Sequence, residues 1–263
     1  MDIIVCVKRV PEVAEADIII EESKKGIRTE DLVFDINEWD NYAVEEAVRI
    51  KENYGGKITV VTLGTEESQD TLRRCLAMGA DEAIHLNDPI FLSGDPYATA
   101  RALHAALKDK TFDLLFTGVQ ASDDGYGQVG PILAELFNFP HATMVTKVIL
   151  AENRKVKVHR ELEGGMEEVV LLDLPAVLTI QTGINEPRYV SIMGIRKAKS
   201  KEIRLLGSKE IGLSAEEVGV SGSLIEVKEL FLPPVGKAAE ILKGGLEEVA
   251  LKALEIIKEK GGR

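Results

Sequence analysis

The sequence predicts an α/β protein: a doubly wound, mostly parallel sheet that gains an antiparallel β addition and ends in an arm and a C-terminal helix. Three observations predict it. Short apolar runs alternate with stretches of helical spacing from residue 1 to about residue 150, the pattern of βα units over a parallel sheet. The run Leu114–Phe116 passes through a polar loop holding Gly118, Gly125 and Gly127 into a helical pattern at Pro131, Ile132, Leu133, Leu136 and Phe137. After about residue 150 the period becomes two, with Val156 and Val158 opposite Lys157 and His159, as in a half-exposed antiparallel strand. On this basis residues 1–194 form the α/β domain, with a β-hairpin extension from about 151, and residues 195–263 form the arm and C-terminal helix.

Ile3–Val7 is a continuous apolar run and reads as a buried first strand. It ends toward Pro11, which holds Val10 in extended geometry. Residues 12–36 are mixed and charged, and Ile18–Ile20 with Leu32–Phe34 reads as a small hairpin or excursion. A helix follows, with Asp40 or Asn41 as its N-cap. Ala43, Val44, Ala47, Val48 and Ile50 share its inner face, Glu45, Glu46, Arg49 and Lys51 lie outside, and Gly55-Gly56 stops it. Ile58–Leu63 is the second strand. Ser68 caps the helix carrying Leu72, Cys75 and Leu76, which ends at Gly79. Ala83–Leu86 is a third strand, and Asp95-Pro96 starts a helix with an N-cap and an N1 proline. The fourth strand is Asp113–Phe116, its helix runs from about Val129 to Phe137, and Thr143–Leu150 is a fifth strand. Beyond it, Lys155–Glu161 and Glu168–Leu172 flank the turn Glu163-Gly164-Gly165-Met166, and Ala176–Gln181 is a further β-rich run, all read as an antiparallel addition at the sheet edge. Residues 195–237 hold a basic patch (Arg196, Lys197, Lys199, Lys201) and no sustained period, and about 245–260 is an amphipathic helix.

With 32 Lys and Arg against 44 Asp and Glu, the formal net charge is −12. That disfavours nucleic acid or an anionic membrane as the main partner, since both call for a basic face. The only cysteines, Cys6 and Cys75, fall inside predicted elements with no CxxC, and the four histidines show no ligand spacing, so no metal site is expected. No apolar run is long enough to span a bilayer, and Met1-Asp2 leads straight into Ile3 without a signal-peptide pattern. The expectation is a soluble, cytoplasmic protein.

Strand, glycine loop and helix is how an open α/β sheet builds a nucleotide site beyond the carboxyl ends of its strands. Glycines let backbone N–H groups approach a phosphate, and a helix N-terminus favours negative charge. The spacing in Leu114–Pro131 matches neither GxGxxG nor GxxxxGK[ST], so this loop by itself reads as an ordinary strand–helix connection.

Several stretches in shared order resemble the β subunit of electron transfer flavoprotein. Val5-Cys6-Val7-Lys8-Arg9-Val10-Pro11 is similar to the family's opening strand and loop. Ala43–Arg49 and Leu76-Ala77-Met78-Gly79-Ala80-Asp81 resemble its helix signatures. Gln120-Ala121 through Asp123 to Gln128-Val129-Gly130 matches its nucleotide loop in part. The longest match is Leu174-Pro175-Ala176-Val177, then Asn185-Glu186-Pro187-Arg188-Tyr189 and Lys197-Ala198-Lys199; residues 205–263 agree only in general character.

The resemblance implies an obligate heterodimer with an α subunit that holds most of the site for an electron-transferring FAD and on which the arm and C-terminal helix, residues 195–263, pack. The β subunit adds a wall over that flavin and binds a nucleotide of its own: AMP in most members, a second FAD oxidising NADH in the electron-bifurcating branch. Donors are flavin dehydrogenases of the acyl-CoA dehydrogenase type, and acceptors include a quinone reductase or a membrane-associated complex. No residue of this chain is assigned acid, base or nucleophile chemistry, since the cofactor carries it. By resemblance the nucleotide site takes Cys6, Asn37, Leu63, Gly118, Gln120, Ala121, Ser122, Asp123, Asp124, Gly125, Tyr126, Gly127, Gln128 and Val129. Cys6 and Leu63 also suit plain core and Asn37 a cap; Asp123 and Asp124 either bind ribose hydroxyls or hold the loop. Trp39 aligns with an aromatic near the α-subunit flavin, or packs at an interface. Ile184 stands as an exposed apolar anchor for partner dehydrogenases, within a recognition loop that continues through Asn185, Glu186, Pro187, Arg188 and Tyr189.

Gln128-Val129-Gly130-Pro131 resembles the bifurcating branch, and so does the Asn37–Asp40 spacing; the branch's preceding pentad is Asp-Gly-Asp-Thr-Ala, and here it is Asp123-Asp124-Gly125-Tyr126-Gly127. The non-bifurcating pattern, with asparagine at 127 and a basic residue at 119, is not met either. Lacking the pentad, the chain is expected to bind AMP and act as a simple carrier. The alternatives are a bifurcating subunit with a second FAD and a nucleotide-binding sensor of similar fold.

Overall fold

Alternate residues of one strand face opposite sides of a sheet, and the first strand shows why both sides are covered. In a computed structural model, which describes residues 1–13, 16–234, 236, 239 and 241–260, β1 (Asp2–Cys6) is buried from Ile3 to Cys6. Ile3 and Val5 join one apolar cluster, while Ile4 and Cys6 join another on the opposite face. The first cluster is closed by α1 (Glu38–Tyr54) and α2 (Ser68–Met78). The second is closed by α3 (Pro96–Leu107) and α4 (Val129–Phe137). The remaining strands of the α/β part are β4 (Lys57–Leu63), β5 (Glu82–Leu86) and β6 (Leu114–Gly118). Asp95 caps α3 by accepting from the Ala98 N–H at 2.8 Å, as its Asp-Pro signature predicts.

Among the described residues the sheet has nine strands, in the order β11 (Ile203–Leu206), β5, β4, β1, β6, β10 (Ala176–Ile180), β7 (His141–Ala151), β8 (Lys155–Leu162), β9 (Met166–Asp173). β7 (His141–Ala151), β8 (Lys155–Leu162) and β9 (Met166–Asp173) form the antiparallel addition. The fold class is the expected doubly wound, mostly parallel α/β sheet. β10 (Ala176–Ile180) differs from expectation: it runs parallel between β6 and β7 in the sheet interior, not at an edge. All five of its residues are buried, so both faces are apolar, the signature of an inner parallel strand.

Three other departures have local causes. The small hairpin forms between β2 (Arg9–Pro11) and β3 (Phe34–Ile36); Ile20 makes only an isolated bridge to Ile27. Ser68 is the first residue of α2 and Glu67 its N-cap. Within the stretch read as an arm, α5 (Ile192–Ser200), β11 (Ile203–Leu206) and α6 (Ser208–Ile211) close the far edge of the sheet, with β11 parallel to β5. α5 buries only Ala198, so it leaves no apolar stripe to read.

The chain forms two units, Met1–Lys228 with the whole sheet and Glu229–Arg263. In the second, α7 (Leu246–Lys260) has no buried residue. No helix among the described residues is long and apolar enough to cross a membrane.

Candidate functional site

β1 connects outward to β4 on one side, and the chain returns through α3 to β6 on the other, so β1 and β6 flank the point where strand order reverses. A ligand crevice is expected beyond the carboxyl ends of strands at such a point. A cavity of about 350 Å³ lies there, at the small end of the ~300–1,000 Å³ range of ligand pockets.

β1 brings Cys6 and the following Val7 and Lys8; β4 brings Leu63; β6 and its loop bring Gly118, Gln120, Ala121, Asp123, Asp124, Tyr126, Gly127, Gln128 and Val129. Asn37 completes the expected lining. Its Nδ2 donates to the Gln120 carbonyl at 2.8 Å, and its Oδ1 accepts from the Ser122 N–H at 3.2 Å. Asn37 is also the N-cap of α1 by position, without a side-chain capping bond. Ser122 and Gly125 shape the loop without lining the cavity, and neither does Trp39 line it. The Trp39 indole N–H donates to Gln181 Oε1 at 2.9 Å.

Sequence reasoning missed two charged residues here. Asp40 was expected as a cap; instead it turns inward from the first turn of α1 and is buried. Its Oδ2 accepts from the Lys8 N–H at 2.8 Å and its Oδ1 from the Gly118 N–H at 2.9 Å. One carboxylate thus ties the ends of β1 and β6 together. Position 118 has to be glycine for this: a Cβ there would lie 2.6 Å from Asp40 Oδ1 and 2.6 Å from Trp39 Cβ. Burial pushes the Asp40 pKa up to about 7 against the two N–H bonds.

Lys8 is the one basic side chain among the described residues that line the cavity. Its Nζ sits 2.7 Å from Asp123 Oδ1 and 2.8 Å from Asp124 Oδ2. Burial works against its charge, but the two aspartates outweigh that and raise its pKa. The pairs are partly exposed, with side-chain exposures of 28–39 %, so each holds by less than about 1 kcal/mol and an incoming anion can compete. The first turn of α4 has no acidic residue and no side-chain cap, so its free N–H groups remain to receive an anion. The Cys6 thiol is pushed far up by burial, with Asp40 adding to it, so Cys6 presents an apolar wall and no nucleophile. The cavity's outer wall, Phe91, Leu92, Ser93, Gly94 and Pro96 with Thr99 and Leu103, carried no signal of a ligand site in the sequence, because its residues are ordinary turn and helix types.

The sequence profile described as Electron transfer flavoprotein domain matches residues 26–210. The Electron transfer flavoprotein subunit beta of Methylophilus methylotrophus is 38% identical over 265 residues, covering 100% of both chains. The chain belongs to the electron transfer flavoprotein beta-subunit family. It is equally similar to the subunit beta of Thermoanaerobacterium thermosaccharolyticum, 38% identical over 99% of both chains. The Caffeyl-CoA reductase-Etf complex subunit CarD of Acetobacterium woodii is also 38% identical over 99% of both chains.

In this flavoprotein subunit two residues of the stretch expected as a recognition loop, Asn185 and Arg188, bond back to α1. Asn185 Nδ2 donates to the Tyr42 carbonyl and to Glu46 Oε2, both at 3.1 Å. The Arg188 guanidinium forks between Glu45 at 2.8 and 3.0 Å and Glu52 at 2.6 and 3.0 Å. These bonds raise the Arg188 pKa, Glu52 contributing first. They also cover Glu45 and Glu46, which are buried rather than solvent-facing as the helical period predicts. Ile184 is drawn in with the loop and packs partly buried against the core, so the expected exposed aliphatic is not at that position. Pro187 is half-buried, while Glu186 and Tyr189 reach solvent, and Ile192 and Met193 are the exposed aliphatics nearby.

Proposed function

We propose that this subunit binds AMP in the cavity between the ends of β1 and β6 and works with an α subunit as a simple electron carrier in the cytoplasm. The observation that supports it best is the convergence on one small cavity of the open first turn of α4 and Lys8. The chemistry fits a mononucleotide: N–H groups and one ammonium for a phosphate, Asp123 and Asp124 for ribose hydroxyls, and apolar Cys6, Leu63 and Phe91 for a base. FAD, held mainly by the α subunit, would supply the redox chemistry between flavin dehydrogenases and an acceptor such as a quinone reductase. This chain's residues bind and orient; Asn37 and Asp40 hold the loop and strand ends that frame the ligand.

A second FAD in the same cavity is the competing reading. It is supported by the aromatic Tyr126 on the rim, able to stack on an isoalloxazine, and by similarity to the CarD subunit of a reductase–Etf complex. Acid release and chromatography of the purified αβ heterodimer separates the two. One FAD and one AMP per heterodimer is the expected result; two FAD and no AMP would overturn it in favour of an NADH-oxidising subunit.

A further inference from the structure

We propose that residues 217–225 act as a strap that sets the outer wall of the cavity, with Asp95 as the positioning residue. The proposal rests on the reading that an adenine nucleotide occupies the cavity. The wall is the turn Phe91, Leu92, Ser93, Gly94 leading into Pro96. Ser93 sits at φ +58°, a conformation that a non-glycine residue keeps only where its surroundings impose it.

The strap supplies those surroundings. Arg101 Nη2 pairs with Glu217 Oε1 at 2.7 Å, pinning its start to the middle of α3. Val218 is buried in the cluster under α3 and α4. Gly219 then passes so close to the wall that a Cβ on it would lie 2.0 Å from the Ile90 carbonyl oxygen. Ser223 Oγ accepts from the Asp95 N–H at 2.8 Å and donates to the Gly219 carbonyl at 2.7 Å. Asp95 divides its two oxygens. Oδ1 caps α3 at the Ala98 N–H, and Oδ2 accepts from the Leu224 and Ile225 N–H groups at 2.7 and 3.0 Å. No strap residue lines the cavity, so any effect of the strap on a ligand passes through the wall.

This division provides a clean test. In Asp95→Asn the amide oxygen still caps α3, since Asn is as good an N-cap as Asp, while the amide nitrogen faces two N–H donors and repels the strap. In Ser223→Ala both hydroxyl bonds are lost with little change in volume. The nucleotide-stripped full-length heterodimer is titrated with AMP, its melting temperature is measured, and backbone hydrogen exchange is followed. AMP added to the unaltered protein slows exchange at 90–96 and at 218–225 together. Asp95→Asn and Ser223→Ala speed exchange of the strap, leave the Ala98 amide protected, and weaken AMP binding at least five-fold. A role confined to stability lowers the melting temperature and leaves the affinity alone; affinity within two-fold of the unaltered protein in Ser223→Ala, with a freed strap, overturns the proposal. An unaltered protein that binds no AMP defeats the AMP reading itself, a result distinguishable because it precedes any substitution.

Discussion

Asp40 shows how one side chain joins stability to the site. The folded carboxyl keeps its proton up to about 7, against an ordinary value of 3.8. Between those values the folded state binds a proton that the unfolded state has released, so raising the pH through this window removes stability, by up to about 1.4 kcal/mol per pH unit. Urea unfolding at pH 5 and pH 7.5 should show this fall, and Asp40→Asn should flatten it; an equal fall in both proteins refutes the assignment. Lys8 is testable through salt. Lys8→Met should weaken AMP binding about ten-fold and reduce its dependence on ionic strength, because the remaining contacts are neutral N–H groups. Lys8 stands inside a recognisable stretch and Asp40 at a helix start, yet neither role was legible. Asp near a helix start is the usual sign of a cap, and it is the N–H groups of Lys8 and of Gly118, the latter 78 residues away, that hold Asp40 inward.

Among the elements, α1 was located correctly from its apolar spacing, but its outer face was not. Glu45 and Glu46 sit where a 3.6-residue period puts solvent, and a loop some 140 residues later covers them. Covering of that kind is non-local and leaves no trace in the period. Arg188→Ala strands Glu45, which is 4 % exposed. Because Arg188 is itself one-third exposed, the expected loss is about 1–3 kcal/mol rather than the full cost of breaking a buried pair, read from a denaturant midpoint. Tyr189→Ala, at the next residue of the chain but fully exposed, should leave that midpoint unmoved; a comparable loss would mean the loop is held by its aromatic. β10 was recognised as a strand and misplaced in the sheet, since an apolar run announces burial on both faces but not its neighbours. α4 was legible to the residue because its glycine loop and apolar spacing agree.

For the whole molecule, the alternating pattern to residue 150 sufficed for the fold class, and the switch point then located the cavity. The two-unit organisation makes a prediction of its own. A chain ending at Lys228 keeps the whole sheet and cavity, so its melting temperature and AMP affinity should stay near those of the full chain. If the C-terminal segment packs on the α subunit, as the family resemblance implies, the same truncation should abolish heterodimer formation in size-exclusion chromatography; an intact heterodimer rejects that role.

The interior place of β10 also bears on synthesis. β1, β4 and β5 can pair once about the first 90 residues have emerged, each beside a strand already made. β6 and β7 cannot complete their side, because the strand between them is translated only after the β8–β9 hairpin. Until residue 180 leaves the ribosome, β6 is an open strand edge on an apolar layer, the kind of surface that recruits foreign strands. A cell making this subunit has to shield that edge for the time it takes to translate some sixty residues.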